Sequence, residues 1–161
     1  MTTKTDFTAQ EWEQVIRLPG MVGAFIITSS ISGPIQVMKE MLAIGTTVAE
    51  TSSTGADGGL VDALVADVKS GTHPDPTDSK LEYKNNEEAR AAILDYCRTT
   101  MSMVRSKATG AEAQNFKTWL LSIGNKVAEA GKEGGFLGFG GTLVSDAENA
   151  ALAELDAALG V

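Results

Sequence analysis

The chain has 161 residues, of which 43% are apolar, 21% charged and only 6% aromatic. That is enough for one domain with a real core, too apolar for a disordered segment, and short of the aromatics a β-sandwich favours. The formal net charge of −8 speaks against non-specific binding to nucleic acid or to an anionic membrane, since both need a positive field.

The first eight residues are polar and lack the apolar stretch of a secretory leader. The longest apolar run, 21–27, is too short to cross a bilayer, so no transmembrane segment and a cytoplasmic location are expected. Thr8-Ala9-Gln10-Glu11 is a capping box. Behind it Trp12, Val15, Ile16, Pro19, Val22, Gly23, Ile26 and Ile27 recur at helical spacing. Pro19 removes a backbone donor and crowds the preceding turn, which predicts a kinked helix or a split one with Pro19 opening the second piece.

Ser32-Gly33-Pro34 starts a helix that runs to about Glu50, with Met38, Met41, Leu42, Gly45, Val48 and Ala49 on one face. A polar, Gly-rich turn covers 51–59. A short helix follows with Val61, Leu64, Val65 and Val68 inward. Residues 70–80 hold Pro74 and Pro76 and read as a surface loop. Asn85 caps the next helix with Glu88 reaching back. Its inward face is Ala89, Ile93, Tyr96, Cys97, Thr100, Met103 and Val104, and Gly110 suits a left-handed cap at its end. A helix over 111–133 places Phe116, Leu120, Ile123, Gly124, Val127 and Ala128 inward. Gly134 and Gly135 stop it, and 136–144 is a Gly-rich loop. Ser145-Asp146-Ala147-Glu148 caps the last helix, whose inner residues are Leu152, Leu155 and Leu159.

One motif occurs twice. Residues 42–50 read L-A-I-G-T-T-V-A-E and residues 121–129 read L-S-I-G-N-K-V-A-E. Thr54-x-x-Asp57 likewise matches Ser145-x-x-Glu148, each before a short apolar-faced helix. This pattern predicts an internal duplication. The expected fold is all-α, a single domain over 1–161 with repeat one at about 8–69, a linker at 70–84 and repeat two at about 85–160. The two twin helices are the expected centre, crossing near Gly45 and Gly124, where a missing side chain lets backbones approach.

The twin helices, together with the Gly-Gly…Val-Ser-x-x-Glu stretch over 140–148, resemble the tellurite-resistance TerB-like proteins. A second, partial likeness lies at Ala56-Asp57-Gly58. The family's aspartate is replaced here by Gly140. The resemblance implies a multihelical fold of two pseudo-twofold-related repeats around two central helices. It also implies a stress-response protein linked to tellurite or related toxic agents, without established enzymatic activity.

Candidate chemistry is sparse. Asp57, Asp146 and Glu148 stand at expected helix starts, where carboxylates cap free N–H groups and complement the dipole. The same oxygens are the candidate ligands for a divalent cation. Glu50 and Glu129 end the repeated motif, either as a paired acidic site or as solvated residues. His73, the only histidine, could recruit zinc with Asp75 and Asp78, with incidental exposure as its plain reading. Cys97, the only cysteine, reads as a buried hydrophobe. The 134–141 glycines follow a helix and lack a Gly-Lys-Ser/Thr ending, so a nucleotide loop is rejected. Arg98 and Arg105 read as a solvated face or a basic stripe. No nucleophile–base set assembles. The expected role is a non-enzymatic binding or scaffold protein of a stress response, with a protein partner and no cofactor. The alternative is a divalent-cation-binding helical protein.

Overall fold

The helix starts are made by side chains folding back on their own backbone. Thr8 Oγ1 accepts from the Glu11 N–H at 3.2 Å while Glu11 Oε2 accepts from the Thr8 N–H at 2.7 Å. Two amides without an intrahelical partner are thereby satisfied. Asn85 Oδ1 accepts from the Glu88 N–H at 2.8 Å, but Glu88 reaches one residue beyond the cap, to the Lys84 N–H at 2.9 Å. The computed structural model describes residues 1–29, 44, 45, 48, 50, 59–72, 84–130 and 145–160. Among them every regular element is helical: a 3-10 turn, Lys4–Asp6, then α1 (Ala9–Ile27), α2 (Leu60–Lys69), α3 (Asn86–Lys107), α4 (Gly110–Ala130) and α5 (Asp146–Ala158). The chain is thus all-α, as its composition predicts. Among the described residues no helix is long and apolar enough to cross a membrane. Ile44, Gly45, Val48 and Glu50 are helical positions. The rest of the 34–50 helix, the 51–58 turn, the 73–83 loop and residues 131–144 lie outside the described residues.

Helices α1 and α4 each pack against all the other described helices. On α4 the buried face is the expected one, with Phe116, Leu120, Ile123, Gly124, Val127 and Ala128. Among the described residues, Gly45 and Gly124 do not meet at their Cβ positions, whereas Ile44 and Val127 both lie against Gly23 of α1. A Cβ on Gly124 would meet Leu152 Cδ2 at 3.2 Å, Val22 Cγ1 at 3.5 Å and Ile26 Cγ1 at 3.7 Å, so this glycine admits α5 and α1. A Cβ on Gly45 would meet no described atom within 4 Å. The glycine that receives Ile44 is Gly23 of α1, where a Cβ would overlap the Ile44 side chain. Identical local sequence does not dictate an identical neighbour, and the neighbour decides what a glycine is for.

One further expectation is narrowed and one is corrected. Helix α1 is not split at Pro19; it runs through it as one element, with Leu18, Pro19 and Val22 buried. The missing proline N–H costs a ladder bond, which this burial offsets. Gly110 does not close the long helix: α3 ends at Lys107, and Gly110 begins α4. Thr109 Oγ1 accepts from the Glu112 N–H at 3.3 Å, and Glu112 Oε2 accepts from the Thr109 N–H at 3.1 Å, making an unforeseen capping box. Among the described residues the left-handed glycine is Gly71, φ +98°, after α2. There the Gly71 N–H donates to the Val68 carbonyl and the Thr72 N–H to the Asp67 carbonyl, the two bonds of a Schellman end. The N-cap of α2 is Gly59, without a side-chain bond; Thr54 and Asp57 lie outside the described residues.

The first residues strap one end of the bundle. Glu112 Oε1 accepts from the Thr2 N–H at 2.6 Å, and Oε2 accepts from the hydroxyls of Thr2 at 2.9 Å and Thr109 at 2.8 Å. The Thr2 amide above all, with the Thr109 donors, outweighs burial and holds this carboxyl at about 2. On the α2 side, Asp67 accepts from Lys4 Nζ at 3.0 and 3.1 Å and from Trp12 Nε1 at 2.7 Å. Burial works to raise the Asp67 pKa, but the Trp12 and Lys4 donors win and leave it below its ordinary value. At the other end, the Arg90 guanidinium of α3 lies 4.2 Å from the Phe25 ring centroid and donates to Ser29 and to both oxygens of Glu154.

Candidate functional site

Between α1, α2 and the helical residues 44, 45 and 48 lies a cavity of about 440 Å³. Its described lining is Ile16, Arg17, Pro19, Gly20, Ile44, Gly45, Val48, Leu64, Val68 and Lys69. The spacing of these residues explains the space. Ile16, Pro19 and Gly20 share one face of α1, and Leu64 and Val68 share one face of α2, each at three- or four-residue intervals. Pro19 and Gly20 are short, so the surface of α1 is low there. Gly45 offers no side chain either. A Cβ on Gly20, like one on Gly45, would meet no described atom within 4 Å.

The two glycines are informative because they are costly. A glycine inside a helix is about 1 kcal/mol worse than alanine. Gly23 and Gly124 have a packing reason for it, since side chains press on both. At Gly20 and Gly45, both exposed, no described atom presses, and both border the same cavity. Its volume falls in the range of small-molecule sites, roughly 300–1,000 Å³.

Charge enters at two lining positions. Arg17 is 17% exposed in its side chain and pairs through Nη2 with Glu13 Oε1 at 2.7 Å, which fixes the guanidinium on α1. Lys69 is an exposed residue in the last turn of α2. The other described lining residues are apolar or glycine. A second, open groove lies along α3, lined by Arg98, Thr99, Ser102, Met103 and Ser106. All of these come from a single helix face, so no second element converges on it.

The carboxylates singled out in the sequence are not brought together in this cavity. Glu148 is 4% exposed; its Oε2 accepts from the Ser145 N–H at 2.8 Å and the Ser145 hydroxyl at 2.7 Å, the capping-box geometry. Asp146 is exposed in the first turn of α5, and Asp57 lies outside the described residues. Glu50 and Glu129 are exposed. His73, Asp75 and Asp78 lie outside the described residues. Among the described residues no group of three or more His, Cys, Asp or Glu side chains is placed to hold a metal ion. Arg98 is exposed, whereas Arg105 is half-buried and donates to the Gly160 carbonyl, so the two do not make a stripe. Cys97 is fully buried, and burial pushes its thiol up to about 12. That leaves it without the thiolate a reactive cysteine needs.

The cavity escaped the sequence reading. Ile16, Val48, Leu64 and Val68 have the periodicity of core residues, and periodicity does not separate a wall from a filled core. Pro19-Gly20 in mid-helix was the available signal. Compared with known proteins, the chain matches no family model, no curated protein and no solved structure.

Proposed function

We propose that this chain is a non-enzymatic binding protein of a stress response, and that it holds a small apolar molecule between α1 and α2. The observation that carries the binding role is the 440 Å³ cavity, bordered by two helix glycines that no described atom crowds. Apolar surface offered to such a space gains about 25 cal/mol for each Å² that a ligand covers. The stress-response setting and the two-repeat, TerB-like arrangement draw on the likeness of 42–50 to 121–129 and on the 140–148 turn.

The test is a titration with a neutral naphthylamine fluorophore, which brightens in apolar surroundings. Saturable one-to-one binding is expected, lost in Gly45→Trp, where an indole enters the cavity. Circular dichroism of the variant checks that the helices persist. Absence of saturation, or equal binding by a folded Gly45→Trp, would remove the reading.

A further inference from the structure

We propose that residues 2–6 are a detachable latch, which lifts off the bundle as one cooperative unit while the helices beneath it stay packed. The latch is held by one side chain from each of three helices. Glu112 of α4 accepts from the Thr2 N–H and hydroxyl, Asp67 of α2 accepts from the Lys4 ammonium, and Lys107 of α3 donates to the Asp6 carbonyl at 3.1 Å. Each of these side chains also has a second partner that belongs to the bundle. Glu112 has the Thr109 N–H and hydroxyl, Asp67 has Trp12 Nε1, and Lys107 has Glu11 Oε2 at 3.0 Å. The seat is therefore complete without its occupant.

That double partnering decides what opening costs. A buried charge stripped of every partner is far more expensive than a bond exchanged for water. Here no charge is stripped. When the latch leaves, Glu112, Asp67 and Lys107 each retain a bond, and the vacated side meets solvent. The Lys4 side chain is 54% exposed, and ion pairs so open to water contribute little. Opening thus turns a covered carboxylate, Glu112, toward solvent without unwinding a helix.

The latch acts as a unit because its turn and its seat need each other. The Thr3 N–H donates to Asp6 Oδ2 at 2.8 Å, and the Asp6 N–H donates to the Thr3 carbonyl at 3.1 Å. This turn holds Thr2, Lys4 and Asp6 in register with three helices, and a lone turn does not persist in water. The moving part ends at Phe7. Its ring is buried and packs on Trp12, with centroids 5.5 Å apart. Phe7 precedes the Thr8 cap and Trp12 is four residues beyond that cap, which makes the pair a hydrophobic staple. Phe7 therefore stays with α1 and serves as the pivot.

The experiment follows amide hydrogen exchange by NMR in the full chain at neutral pH. The Thr2, Asp6 and Phe7 amides, bonded to Glu112, Thr3 and Lys4, report the latch. The Leu120 and Ile123 amides of α4 report the bundle. The three latch amides should share one opening constant, on the order of a hundredfold or more above that of α4. Lys4→Gln should raise it about two- to fivefold, alike for all three, and leave the α4 amides unchanged. Lys107→Gln removes the donor to Asp6 and should raise it roughly tenfold, with protection largely restored in Lys107→Arg. Salt at about 1 M screens the Lys4 pair, so it should reproduce the Lys4→Gln effect in wild type and add little to that variant. Latch and α4 amides exchanging at one rate would show that the segment opens only with the bundle, and would overturn the proposal. So would a Lys4→Gln response at Thr2 without one at Asp6, which is fraying residue by residue. Thr2 and Asp6 amides with no protection at all would show the seat unoccupied in solution, and would also overturn it.

Discussion

Helix α1 has two flanks that are built differently. Toward α3 and α4 it is filled. Phe25 lies beneath the Arg90 guanidinium, Val22 and Ile26 are the atoms a Cβ on Gly124 would meet, and the Tyr96 hydroxyl donates to the Gln14 carbonyl at 3.1 Å. Toward α2 the same helix presents Ile16, Pro19 and Gly20 to an empty volume. One flank is where dispersion and burial hold the bundle. The other forgoes those contacts and keeps space. Glycine serves both ends: at Gly124 its small size lets helices meet, and at Gly20 and Gly45 it keeps a wall low.

If the division is real, stability and binding respond to different substitutions. The largest effect belongs to the filled flank. Phe25→Ala should cost about 3–5 kcal/mol in urea unfolding and leave fluorophore affinity of the folded protein unchanged. A loss of affinity without a loss of stability would break the comparison.

Next comes the strap that ties the filled side to the first residues. Glu112→Gln should cost about 1.5–3 kcal/mol, the worth of hydrogen bonds to a charged group. The pH dependence has a definite sign. The folded carboxyl titrates at about 2, below its ordinary value of 4.5, so the unfolded chain takes up the proton first. Its contribution is complete above pH 4.5 and is lost as pH falls toward 2. Thermal melts over that interval should fall more steeply for wild type than for Glu112→Gln; parallel curves would show that Glu112 is not the group responsible.

The smallest effects discriminate best. Gly23→Ala forces the Ile44 side chain aside and should lose about 1–2 kcal/mol. Gly45→Ala places its methyl in open space and should gain about 0.5–1 kcal/mol from the stiffer helix. Opposite shifts in melting temperature sharpen the contrast between the flanks. Shifts of the same sign would erase it.

What was legible in the sequence is what a helix decides within one or two turns. The caps at Thr8 and Ser145 are formed as read, Asn85 caps α3 although Glu88 reaches past it to Lys84, and Ile93, Cys97, Thr100 and Val104 face inward on α3. Met101 is also fully buried there, one position off the predicted stripe, because neighbours approach α3 from more than one side. The 3–4 boundary failed at Thr109-Gly110, where a glycine that suits a helix end sits beside a threonine that suits a helix start. The threonine won because Glu112 completes its box. The bond from Thr2 to Glu112 spans 110 positions, and no local rule reaches that far. For the site, the residues were visible but their role was not: a cavity is a property of two surfaces failing to touch, and a one-dimensional pattern records only which way each surface faces.

Cys97 carries a practical consequence. It is the only thiol in the chain, it has no exposed surface, and its proton is held to about 12. A disulfide reagent in the solvent therefore finds neither access nor a nucleophile while α3 stays seated. Capture of the sulfur must wait for the bundle to part, so the pace of labelling counts those openings. The native protein thus carries its own stopwatch for unfolding, with no engineered probe.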